Sequence, residues 1–118
     1  ATQRVGRAGD GMAYTHSWFR HERLMIGARS CGAAARLIEE AMTFAKERII
    51  DGLPLSEKQI IQFMLADSAT ELYAARLMTY EAARASDRGE DVKALHSRCS
   101  MVKLYVSEMA NRVADRAV

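Results

Sequence analysis

Pro54 is the only proline in 118 residues, and on both sides of it apolar or small side chains recur at alternating steps of four and three. Before it the series is Leu24, Ala28, Cys31, Ala35, Ile38, Met42, Ala45 and Ile49. After it come Ile61, Leu65, Ser68, Leu72, Ala75, Thr79 and Ala82, and then Leu95, Cys99, Val102, Val106, Met109 and Val113. Such spacing lines up one row of side chains on one face of an α-helix. It predicts three long helices, over about residues 12–50, 57–87 and 91–117. Gly52 can take a left-handed C-cap and Pro54 cannot continue a helical ladder, so this pair is expected to stop the first helix. Ser56 with Gln59 reads as a capping box opening the second, and Asp87-Arg88-Gly89-Glu90 as the turn before the third. Short connections set successive helices antiparallel. The expected fold is all-α, an up-and-down antiparallel bundle.

Apolar residues make up 49% of the chain against seven glycines, which argues against long disorder and against a turn-rich β fold. The length fits one domain. Residues 1–11, ATQRVGRAGDG, hold three of the glycines and no periodic pattern, and read as a lead-in to a bundle over 12–118. Small residues crowd the stretch Gly27-Ala28-Arg29-Ser30-Cys31-Gly32-Ala33-Ala34-Ala35, which suits a close helix crossing. Three long helices make a thin rod with a large side surface, and the third pattern runs to Val118 without a C-cap. A fourth helix, or a partner chain, is expected to cover what remains. A chain opening on Ala1 is expected to be a processed or excised piece of a longer protein.

A net charge of +2, evenly mixed, gives no electrostatic footprint for nucleic acid, and no helix is cationic enough for a DNA-recognition helix. Apolar runs are too short for a membrane span, and no secretory signal pattern is present. Cys31 and Cys99 stand far apart without a C-x-x-C, so neither a disulfide framework nor a zinc site is expected, and a reducing cytoplasm is the default. His16, His21 and His96 lack the spacings of metal ligands and read as surface or partly buried polar residues. No phosphate loop, dinucleotide glycine pattern or nucleophile elbow occurs. Glu22 draws attention because it follows Trp18-Phe19 and lies between His21 and Arg23. A carboxylate beside aromatic surface is a candidate for general-base work; its bland alternative is a helix-surface ion pair.

The run Ala45-Lys46-Glu47-Arg48, then Gly52-Leu53-Pro54-Leu55, Gln59, Gln62, Leu65-Ala66-Asp67, Glu71 and Ala75-Arg76-Leu77 resembles the C-terminal helical domain of the acyl-CoA dehydrogenases. Gly6 to Gly11 is similar to that family's exit from its central β-domain, and Met101, Lys103, Leu104, Ser107 and Glu108 to its third helix. The resemblance implies a helical bundle within an FAD-dependent enzyme that oxidises an acyl-CoA thioester across its α and β carbons. In the isovaleryl- and long-chain-type branch the base lies in a Glu-Arg-Leu-like run of the first helix, which Glu22-Arg23-Leu24 matches. The resemblance thus implies Glu22 as base and Arg23 on the substrate side. It also implies that Arg48 and Gln59 reach the flavin of a neighbouring subunit. Asp51 stands where the family usually has an aromatic residue, and its carboxylate is expected to repel the flavin phosphates. The N-terminal helical domain, the β-domain, the Gln-x-x-Gly-Gly loop and the final helix of the family have no counterpart here, so the chain is expected to be a fragment. A homodimer or homotetramer, an electron-transfer partner, and a bacterial cytoplasm or mitochondrial matrix are the accompanying expectations. The alternative is a catalytically inactive helical module for oligomerisation.

Overall fold

A computed structural model describes residues 3–118; residues 1 and 2 of the expected lead-in lie outside the described residues. Three helices dominate: α1 (Gly11–Glu47), α2 (Gln59–Asp87) and α3 (Val92–Ala117). Between α1 and α2 stand two short antiparallel strands, β1 (Ile49–Ile50) and β2 (Leu53–Pro54), and a 3-10 turn at Leu55–Glu57. Each helix packs on both others, and the molecule is a rod of 71 × 30 × 17 Å.

The α3 stripe is buried as its spacing demands: Leu95, Cys99, Val102, Val106, Met109 and Val113 are the helix's buried residues. On α2 the buried row is Ser68, Leu72, Ala75, Thr79, Ala82 and Ala85, with Ile61 and Leu65 partly covered. The α1 row differs from the expectation. Its buried residues are Gly27, Cys31, Ala34, Ile38 and Ala45, while Ala28 and Met42 are exposed and Ala35 only half-buried. Small side chains surround α1 in this region, so neighbouring registers look alike in sequence. Contact with both other helices selects the row holding Gly27. A methyl on Gly27 would stand 2.6 Å from Val102 Cγ1 and 3.3 Å from Thr79 Oγ1, whereas nothing lies within 4 Å of the same position on Gly32. The close crossing expected from the small stretch is therefore made at Gly27, on both α2 and α3.

The helix junctions carry two further corrections. Helix α1 ends at Glu47 rather than near residue 50, and Arg48 is its extended C-cap, with its N–H donating to the Phe44 carbonyl at 2.8 Å. Ile49 pairs with Pro54 and Ile50 with Leu53 across Asp51 (φ 56°) and Gly52 (φ 79°). Two successive positive φ angles make the tight turn of a two-residue hairpin, for which Asp-Gly is a preferred pair. Gly52 thus uses its left-handed conformation in a hairpin, not as a helix cap. The expected capping box does not form either. Lys58 is the N-cap of α2 without a side-chain cap bond, and Gln62 Nε2 donates to the Ser56 carbonyl at 2.9 Å. A side-chain cap does open α3, where Asp91 Oδ2 accepts from the backbone N–H groups of Lys93 and Ala94, both at 3.0 Å.

One ion cluster ties α2 to α3. Glu71 accepts from Arg112 Nε and Arg116 Nη2, both at 2.9 Å, and Arg116 Nη1 reaches Ser68 Oγ at 3.3 Å. Partial burial opposes ionisation of Glu71, but the hydrogen bonds and charges of Arg116 and Arg112 outweigh it and hold the carboxyl below its ordinary range. A lowered folded value means the stabilisation is complete above an unfolded pKa of about 4.3 and is lost as pH falls through the folded value.

Two outcomes follow for unfolding in urea. G27A loses up to about 2 kcal/mol, the overpacking cost of about 1–3 less the helix gain of about 1; G32A, into open space, gains about 0.5–1 kcal/mol. E71Q loses on the order of 1–2 kcal/mol at neutral pH, and the difference from the parent narrows as pH drops below about 4.

Candidate functional site

Glu22 lies in the first half of α1, and its neighbours at three and four residues are Trp18, Phe19, Met25 and Ile26. No cation occupies those positions, which are the ones its own helix brings alongside it. Trp18 is 57% exposed, Phe19 40% and Met25 41%. The result is a half-buried carboxylate set in an apolar patch, with no ion pair or hydrogen bond to its side chain among the described residues.

Arg23 turns the other way, toward α3. Its Nη1 is 3.1 Å from His96 Nε2, and its guanidinium carbon is 5.9 Å from the centre of the Phe19 ring, within cation–π range. Arginine can only donate, so this contact requires a lone pair on His96 Nε2, hence a neutral ring with its proton on Nδ1. The ring of His16 stands edge-on to that of His96, with centroids 6.4 Å apart and planes at 69°. His96, expected to be a surface or partly buried polar residue, is half-buried and in contact with Arg23. Nothing in the spacing of residues 23 and 96 foretells their meeting; it depends on how α1 and α3 align.

Arg48 and Gln59 lie at the other end of the rod, flanking the hairpin. Both are exposed, and neither side chain has a hydrogen-bond or ion-pair partner among the described residues. Because the capping box is not made, the Gln59 amide is left uncommitted. Asp51, expected to repel phosphates, is instead paired with Lys58 Nζ at 3.1 Å, which offsets its charge. A guanidinium fork and an amide, beside a neutralised carboxylate, suit the pyrophosphate and polar edges of a dinucleotide. Glu22 and Arg48 are separated by roughly 39 Å along α1, at about 1.5 Å per residue. One chain therefore does not bring the candidate base and the candidate cofactor contacts together.

The remaining features lack such chemistry. A cavity of about 220 Å³ opens near the hairpin, among Ile38, Phe44, Leu55, Leu65 and Val113; its one cation, Arg116, is held by Glu71. Burial pushes the Cys31 thiol up, partly offset by a Thr79 hydrogen bond and the charge of Arg76. Burial likewise pushes Cys99 up against the charges of Arg20 and Arg23. No group of three or more potential metal ligands occurs among the described residues.

The profile of the acyl-CoA dehydrogenase C-terminal domain matches residues 9–118. This chain belongs to the acyl-CoA dehydrogenase family. As that family's C-terminal domain, it is 35% identical to the caffeyl-CoA reductase-Etf complex subunit CarC of Acetobacterium woodii, over 98% of this chain and 30% of the relative. An acyl-CoA dehydrogenase of Bacillus subtilis is 35% identical over 97% of this chain and 29% of its own length. Among solved structures, PigA with FAD and proline superposes with a TM-score of 0.89 at 31% identity, covering 98% of this chain and 29% of that one. The domain thus spans about 30% of the curated relatives it matches. Among the described residues no helix of this acyl-CoA dehydrogenase domain is long and apolar enough to cross a membrane.

Thiol chemistry offers a direct check on the packing here. A neutral disulfide reagent should label Cys31 and Cys99 at rates at least about tenfold slower in the folded chain than in urea-unfolded chain, since only exposed thiolate reacts.

Proposed function

We propose that this domain serves an FAD-dependent acyl-CoA dehydrogenase, contributing its general base, part of its flavin site and a subunit interface. The observation that carries the reading is the state of Glu22: a half-buried carboxylate without a cation partner among the described residues, framed by exposed Trp18, Phe19 and Met25. An acyl chain laid over that apolar frame would exclude water from the carboxylate. Glu22 then takes a proton from the α-carbon of the thioester, the step for which a positioned base is needed. When bound, FAD supplies the acceptor for the hydride that leaves the β-carbon, so a C–C double bond forms and two reducing equivalents pass to the cofactor. Arg23 is assigned to the substrate side by the family resemblance alone; its guanidinium is held against His96 and Phe19.

Arg48 and Gln59 are assigned to the flavin of another copy. Their distance of roughly 39 Å from Glu22 along α1 supports that division, because one active site cannot span it. The exposed apolar side chains of α2, among them Ile60, Phe63, Tyr73, Leu77 and Tyr80, favour association into a homodimer or homotetramer. The name of the Acetobacterium woodii relative, a subunit of an Etf complex, supports an electron-transfer partner. Free buried Cys31 and Cys99 suit a reducing compartment, the bacterial cytoplasm or the mitochondrial matrix.

The test is made in the intact flavoprotein. E22Q should lower turnover of acyl-CoA at least about 100-fold, the usual effect of losing a general base, with flavin content unchanged; turnover near the parent rate would remove Glu22 from the role. R48A should weaken FAD retention by about tenfold, the loss of one charge-assisted contact, read from the flavin absorbance that survives gel filtration.

A further inference from the structure

Arg29 follows Glu22 by two turns of α1, so the two residues share one line of the helix surface, within about 20° of each other and roughly 10 Å apart along the axis. Met25, 41% exposed, and half-buried Ile26 flank that line between them. Arg29 is exposed, and its neighbours at three and four residues are Met25, Ile26, Gly32 and Ala33, none of them acidic. Its side chain has neither an ion pair nor a hydrogen bond among the described residues. The next cation on the same line, Arg36, is neutralised by its own helix, through Glu40 at 2.7 Å and Glu39 at 4.0 Å. Arg29 is therefore a cation that α1 leaves unpaired, across an apolar step from the candidate base. The surface past it is low: Ala33 is exposed, and nothing lies within 4 Å of where a Cβ on Gly32 would stand. Toward the N-terminus the same line meets Trp18 and Thr15 instead, and neither is a cation.

We propose that Arg29 is a substrate-binding residue that receives a carboxylate at the far end of the acyl chain, so that the preferred substrate is the CoA thioester of a dicarboxylic acid. This rests on the reading of Glu22 as base. With its α-carbon at Glu22, an extended chain laid toward Arg29 passes over Met25 and Ile26, which cover its methylenes. Carbon–carbon bonds of about 1.5 Å, zigzagging at tetrahedral angles, advance roughly 7 Å in about six bonds, and a hydrogen bond of about 2.8 Å closes the remaining gap to the guanidinium. The planar guanidinium meets a carboxylate through two parallel N–H···O bonds. Pairing cancels both charges, so little field from Arg29 reaches Glu22 and removal of the α-proton is not opposed. A methyl-ended chain of the same length has the reverse effect, because it covers the guanidinium without pairing it, and an unpaired cation shielded from water is costly. Discrimination thus comes from attraction of one substrate and rejection of the other.

The test compares octanedioyl-CoA with octanoyl-CoA in the intact flavoprotein and its R29Q, R36A and E22Q variants, with Tm and flavin content measured for each. The parent is expected to show kcat/KM at least about tenfold higher for octanedioyl-CoA. R29Q lowers that value about 10–100-fold, the loss of a charge-assisted pair, through KM rather than kcat, and leaves octanoyl-CoA within about threefold of the parent or faster. R36A, whose cation is already paired, keeps the parent's preference. E22Q stops turnover, so the dissociation constant of octanedioyl-CoA can be read from the shift in flavin absorbance, and adding R29Q to it weakens binding by a similar factor. A parent without preference for octanedioyl-CoA overturns the role of Arg29 alone when E22Q is inactive. So does an R29Q variant that slows both substrates alike, or one whose Tm or flavin content falls with them. Retained turnover in E22Q overturns the base reading, and the placement of the chain along α1 with it.

Discussion

At Gly27 the absence of one methyl group lets α1 lie against α2 and α3 together, with Val102 Cγ1 at 2.6 Å and Thr79 Oγ1 at 3.3 Å from where a Cβ would stand. This close approach fixes which face of a long helix turns inward. With Gly27 inward, Cys31, Ala34 and Ile38 follow onto Leu72, Ala75, Val102 and Val106. The same register brings Leu24 against both this core and the smaller cluster of Ala85, Leu95 and Cys99. It leaves Trp18, Phe19 and Met25 outward around Glu22, and sends Arg23 to the α3 side. Interior packing is dense enough that such a choice of face is discrete rather than gradual.

From that register the two candidate regions take positions well apart along a rod 71 Å long. One region carries a carboxylate without a partner among the described residues, in an apolar setting, and a cation held by a histidine. The other carries a tight hairpin, with Arg48 before it and Gln59 after it, and a local ion pair between Asp51 and Lys58. Hairpin geometry matters for this second region. Ending α1 at Glu47 turns Arg48 into extended backbone whose carbonyl accepts from Leu55 at 2.7 Å, so the arginine side chain projects from a braced junction rather than from a fraying helix.

How far the sequence disclosed this depends on the contrast between buried and exposed positions. In α3, valines and methionine alternate with Arg, Lys, Ser and Glu, so only one row can be buried, and the row read from spacing is the row observed. In α1 the stretch from Gly27 to Ala35 is small all round, and several rows fit equally well; tertiary contact, not pattern, decided between Gly27 and Ala28. The hairpin was legible but misread: Asp51-Gly52 between Ile49-Ile50 and Leu53 is a hairpin signal, overlooked because the proline beside it suggested only a helix stop. Family resemblance located the candidate base and flavin contacts, which spacing alone left weak. The contact of His96 with Arg23 was invisible to either route, because it is set by the alignment of two helices.

The most direct measurement is a structure of the intact flavoprotein with FAD and an acyl-CoA bound. The account predicts a Glu22 carboxylate oxygen within about 3–3.5 Å of the substrate α-carbon, a near-attack separation, and Arg48 on the flavin of a neighbouring subunit. A Glu22 carboxylate turned to solvent, with another carboxylate at the α-carbon, would contradict it.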